Sequence, residues 1–202
     1  MQKKGLDPKL RLIQDADLNE KIVLVRFDHN VVKDGEIKDP YRIDRTLGTL
    51  YNIVERGGRP ILMTHVGRPK DKKTGEIKCR PEESIEPIVD YLAMKLHTKF
   101  HIPGFDIDEK SGIAGIDTSI NLAIRSLRER KIGGIYLPNT RWFSGEESEG
   151  KARESFSMQL AGLADIFIND AFGSWQPHAS TYDIARLLPS YAGFLMQQEI
   201  VN

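Results

Sequence analysis

A doubly wound α/β fold is predicted for this chain: a Rossmann-like parallel sheet with helices on both faces, forming a single domain. Three observations predict it. Short apolar runs alternate with segments of helical period along the chain, as βαβ units do. The runs are apolar on consecutive residues rather than on alternate ones, as strands buried on both faces are. Four of them end in polar signatures, and open α/β sheets hold ligands beyond the carboxyl ends of their strands.

The first strand is Lys21–Phe27, Lys-Ile-Val-Leu-Val-Arg-Phe. Between Val31 and Ile37 the pair Asp34-Gly35 signals a hairpin turn. Ile43, Leu47, Leu50 and Val54 recur at helical spacing, so Arg42–Val54 reads as a helix with one buried face, ended by Gly57-Gly58. Arg59–Met63 is the second strand. Lys70–Arg80 is polar, with Thr74-Gly75 near its middle, and reads as an exposed loop. Pro87 falls in the first turn of a helix carrying Ile88, Val89, Leu92 and Leu96. Lys99–Ile102 is a strand, Ile116–Leu127 a helix, and Gly133–Leu137 a strand entered through its glycine pair. Ser155–Leu163 is helical and Asp165–Asn169 is a strand. From Tyr182 onward, one or two short helices surround Pro189 and Gly193.

The chain has 202 residues, within the range of one domain, and Lys+Arg and Asp+Glu both total 29. That balance leaves no global basic field for nucleic acid or acidic lipid, so an anion site has to be local. Cys79 is the single cysteine, which excludes an intrachain disulfide and fits a reducing compartment. No apolar run approaches a membrane span and Met1–Leu6 lacks a signal-peptide core, so the expectation is cytoplasmic.

The strand ends carry the chemistry. They read Asp28-His29-Asn30, Thr64-His65-Val66-Gly67-Arg68-Pro69, Asn139-Thr140-Arg141 and Asn169-Asp170-Ala171-Phe172-Gly173. Gly67 permits a tight turn that aims both His65 and Arg68 inward. Arg42 opens a helix, where the macrodipole disfavours a cation and a structural role is correspondingly less natural. Arginine forks bind carboxylate and phosphate bidentately and stay charged. Arg42, Arg68 and Arg141 with His65 suit a small, doubly anionic metabolite. No glycine-rich phosphate loop follows the first strand, the histidines lack metal-ligand spacing, and no activated serine or cysteine nucleophile stands out.

These blocks together resemble phosphoglycerate kinase, specifically its N-terminal half. The matching segments are Val25–Asn30, Arg42-Ile43, Thr64–Pro69, Asn139–Arg141 with Gly145-Glu146-Glu147, Asn169–Gly173, His178–Thr181 and Ala192–Met196. The resemblance spans Lys21 to Glu199 and implies an enzyme that reversibly transfers the γ-phosphoryl of ATP to the carboxylate of 3-phosphoglycerate. It implies that Asp28 and Asn30 contact the hydroxyl and carboxylate region, and that Arg42 holds the reacting carboxylate as the catalytic cation. His65, Arg68 and Arg141 would bind the 3-phosphate. The whole chain, 1–202, is then the substrate-binding domain, and the C-terminal nucleotide-binding domain is absent from it. Mg-ATP belongs to that other half, in cis or as a separate chain. No cofactor or metal is assigned here, and the isolated chain is expected to be inactive.

Some residues depart from the family pattern. The family has His-Arg-Ala-His after its Asn-Asp-Ala-Phe-Gly, and that arginine also binds the phosphate. Here Ser174-Trp175-Gln176-Pro177-His178 contains no arginine, and Trp175 either re-packs the pocket or suits a different ligand. Pro138 stands where glutamate is common, Val32 in place of a proline, and His29 in place of an apolar residue. The alternative reading is a catalytically inactive, stand-alone anion-binding or regulatory module on the same fold.

Overall fold

A computed structural model describes residues 6–174 and 176–201. β1 (Ile22–Phe27) leads into a hairpin of β2 (Val32–Lys33) and β3 (Glu36–Ile37). Helices α1 (Pro40–Asp44) and α2 (Leu47–Glu55) precede β4 (Arg59–Met63), and α3 (Glu86–Leu96) precedes β5 (Phe100–His101). A second hairpin, β6 (Ile107–Asp108) with β7 (Gly112–Ile113), comes before α4 (Ile120–Arg128) and β8 (Gly134–Tyr136). Then follow α5 (Lys151–Ala161), β9 (Ile166–Asp170), α6 (Ile184–Leu187), β10 (Ser190–Ala192) and α7 (Phe194–Val201).

Six strands form one sheet in the order β10-β9-β1-β4-β8-β5, with every pairing parallel. Alternation along each strand divides the core in two. Val23, Val25, Phe27, Leu62 and Ile168 face Leu50, Ile53, Ile88 and Leu92 of α2 and α3. Ile22, Leu24, Ile61, Met63 and Phe167 face Ala123, Leu127, Phe156 and Leu160 of α4 and α5. The predicted doubly wound sheet is present, and β1 lies at its centre, flanked by β9 and β4, with all six of its residues buried.

Local differences have identifiable causes. The helix expected over Arg42–Val54 is broken into α1 and α2, because Thr46 turns its hydroxyl back onto the Ile43 carbonyl at 2.7 Å. Asp34 and Gly35 both adopt positive φ, as the hairpin signal required. The helix before β8 starts at Ile120 rather than Ile116, and α5 starts at Lys151 rather than Ser155. Residues 190–192, within the tail expected to hold short helices around Pro189 and Gly193, form an edge strand in register with Phe167–Asn169. Three residues are too few to display a period.

Candidate functional site

Winding reverses at β1, which has β4 on one side and β9 on the other. The carboxyl ends of β1, β4, β8 and β9 therefore splay around a crevice, the topological switch point of an open sheet. A cleft of about 690 Å³ occupies this position, and Asn30, His65, Arg68 and Arg141 line it. Asp28 and Arg42 face an adjoining cavity of about 200 Å³ instead, and Gly173 borders both. A side chain at Gly173 would collide with the Asp28 carboxylate, so glycine lets the two spaces meet.

Asp28 is buried and ion-pairs with Arg42 Nη2, while Arg42 Nη1 reaches the Asn30 carbonyl at 3.5 Å. The Asn30 side-chain oxygen accepts from the Gly67 N–H at 2.9 Å, which ties the β1 end to the turn after β4. Gly67 has φ +64°, as the tight turn between His65 and Arg68 demands. Arg141 donates to the Gly67 carbonyl at 2.7 Å, and its Nε lies 3.0 Å from Glu147 Oε1, an ion pair whose angle falls short of a hydrogen bond.

Arg26 is the site residue that sequence reading missed. It sits inside β1, 1% exposed, yet lines the cleft. Burial works against its charge, and the carboxylates of Glu146 and Asp28 support it. Its Nε donates to Ser180 Oγ at 3.0 Å; Ser180 in turn donates its hydroxyl and its N–H to buried Glu146 at 2.5 and 3.0 Å. Its Nη1 reaches the Phe27 carbonyl and its Nη2 lies 2.9 Å from His65 Nδ1. A guanidinium can only donate, so His65 accepts at Nδ1 and carries its proton on Nε2. Burial, then the charges of Arg26 and Arg141, hold His65 down at about 2. In this state His65 is a neutral donor rather than a cation. A lone charge in an otherwise apolar strand was the available signal, since arginine is almost never fully buried without purpose.

His29 goes elsewhere. Fully buried, it stacks on Phe27 with ring centroids 4.8 Å apart, Nδ1 lies 2.9 Å from Tyr136 Oη and Nε2 lies 2.9 Å from Thr46 Oγ1. Because the Thr46 hydroxyl is already donated to Ile43, His29 donates at Nε2 and accepts at Nδ1. It is a core residue behind the site. Trp175 lies outside the described residues; its neighbours Ser174, Gln176 and His178 line the cleft.

The phosphoglycerate kinase family profile matches residues 13–202. The chain belongs to the phosphoglycerate kinase family. It is 36% identical over 192 residues to the phosphoglycerate kinase of Finegoldia magna, covering 94% of this chain and 44% of that one. The phosphoglycerate kinase of Leptospira biflexa is 38% identical over 194 residues, with 95% and 44% covered. The structure of phosphoglycerate kinase from Coxiella burnetii superposes with a TM-score of 0.72 at 25% identity, over 95% of this chain and 43% of that one. That from Pyrococcus horikoshii OT3 gives 0.68, also at 25% identity, over 95% and 44%. The chain therefore spans about 44% of the length of the curated relatives it matches. No helix among the described residues is long and apolar enough to cross a membrane, and none of their His, Cys, Asp or Glu side chains cluster as a metal site.

Proposed function

We propose that this chain is the acceptor half of a phosphoglycerate kinase, binding 3-phosphoglycerate for phosphoryl transfer from Mg-ATP to its carboxylate. The observation that carries this reading is the convergence of the His65 Nε2–H, Arg68 and Arg141 on one cleft, with the Asp28–Arg42 pair just across Gly173. The 3-phosphate meets His65, Arg68 and Arg141, with Arg26 behind them. Asn30 and Asp28 meet the hydroxyl and carboxylate region. Arg42 exchanges part of its pairing with Asp28 for the reacting carboxylate and neutralises the transferring phosphoryl. That carboxylate is ionised at neutral pH, so no general base is needed and catalysis rests on positioning and charge. Mg-ATP is assigned to a nucleotide-binding half, in cis or as a separate chain, without which no transfer occurs.

Calorimetric titration with 3-phosphoglycerate, with Mg-ATP as control, tests the reading. Binding of 3-phosphoglycerate alone is expected. Silence toward it would favour a stand-alone module for another anion, a reading supported by the absence of any lysine or arginine among Gly173, Ser174, Gln176 and His178, which form one wall of the cleft.

A further inference from the structure

The cations around the cleft fall into two sets. Arg26 and Arg141 are committed to protein partners. The side chains of Arg68, Lys70 and Lys72 enter no hydrogen bond or ion pair with a described residue, although all three line the cleft. Lys38 pairs with Glu36, Lys95 with Asp44 and Lys131 with Glu129, whereas Lys73 of the same loop, like Lys70 and Lys72, forms no ion pair with a described residue.

Lys70 and Lys72 belong to a hairpin closed by the Lys70–Ile77 bridge. Backbone bonds fix it: Asp71 N–H to Glu76 O at 2.8 Å, Gly75 N–H to Asp71 O at 2.9 Å, and Ile77 N–H to Lys110 O at 2.8 Å. Asp71 stands between the two lysines, yet its carboxylate turns back to accept the Thr74 and Lys73 N–H groups at 3.0 and 2.7 Å. Those bonds hold it below the usual carboxylate range, and neither Lys70 nor Lys72 forms an ion pair with it, although Asp71 also lines the cleft. The opposite wall offers Gly173, Ser174, Gln176 and a half-buried His178 whose charging is opposed by burial. Among the described residues, the cations lining the cleft besides Arg26, Arg68 and Arg141 are Lys70 and Lys72 of the hairpin, and Asp71 and Glu147 are the carboxylates that line it.

We propose that residues 70–77 form an outer phosphate clamp, in which Lys70 and Lys72 close over the phosphate of an acceptor already seated on His65, Arg68 and Arg141. This deepens, and rests on, the reading of the cleft as an acceptor site. The hairpin backbone is pre-set and only the two lysine stems must order, so the clamp favours a dianionic phosphate ester over a simple carboxylate.

Titrating 3-phosphoglycerate into the chain, K70A/K72A and K73A tests the clamp. Lys73 shares the hairpin and its charge but does not line the cleft. The double variant is expected to weaken binding about tenfold or more and K73A less than about twofold. A double variant within twofold of the parent, or an equal loss in K73A, overturns the clamp and leaves the acceptor reading standing. If the parent ignores 3-phosphoglycerate, inorganic pyrophosphate becomes the probe. Lysine-dependent pyrophosphate binding then removes the acceptor reading and overturns the clamp as an acceptor clamp, leaving Lys70 and Lys72 as a phosphate site for another ligand, whereas no binding removes both readings outright.

Discussion

His29 and Asp170 respond to acid in opposite senses because burial disfavours the charged form of each. Burial, then the Arg26 charge, pushes His29 down to about 3 from an ordinary value of 6.5. The stability it contributes is complete above pH 6.5 and is lost as pH falls from there toward 3, because the unfolded chain takes up the proton first. Asp170 is raised to about 6 by burial, so its contribution is complete below its ordinary value of 3.8 and fades as pH rises through 6. Between pH 7 and 5 the parent should lose about 2 kcal/mol through His29 that a His29→Phe variant does not lose. Urea denaturation at both pH values checks this; equal losses in the two proteins would remove His29 from the account. At this scale the sequence was only partly legible. Asp28-His29-Asn30 marked a strand end, but period-two geometry sends the middle residue to the opposite face, and no rule of composition reveals that Thr46 and Tyr136 wait there.

Loops after β4 and β8 are joined by one buried amide. Asn139 Oδ1 accepts from the N–H groups of Val66 and Arg141, both at 3.1 Å, and its Nδ2 donates to the carbonyls of Val66 and Glu83 at 2.8 and 3.0 Å. Asn139→Ala strands those backbone groups and is expected to cost about 2–4 kcal/mol, read by thermal denaturation. A loss under about 0.5 kcal/mol would show that water replaces the amide without penalty. The strands on which these loops sit were legible because both faces are covered, so Ile22–Phe27 and Arg59–Met63 carry unbroken apolar runs apart from their cations. The 70–77 hairpin was read as an exposed loop, since its order comes from backbone bonds and from Asp71 rather than from apolar period.

The two apolar cores share the same strands, so neither can be lost alone. Ile53→Ala, on the α2 face, and Leu160→Ala, on the α5 face, are each expected to destabilise by about 2–5 kcal/mol. In both variants, far-UV circular dichroism and tryptophan fluorescence should follow one transition. Separated transitions in either would mean that the faces unfold independently. The architecture was legible from alternation of elements, while strand order was not: that β9 returns to lie beside β1 is fixed by tertiary packing, and the sequence marks only that both are strands.

That return has a consequence for the chain as it is made. Ile22 at the start of β1 donates its N–H to Asp165, 143 residues later, and the β1–β9 pairing begins at Val23 and Ile166. At roughly 5–20 residues per second, one long edge of the central strand waits about 7–30 s for its partner to leave the ribosome. Through that interval an apolar ribbon with unpaired backbone is open to neighbouring nascent chains. The step that most exposes this protein to aggregation is therefore its own synthesis.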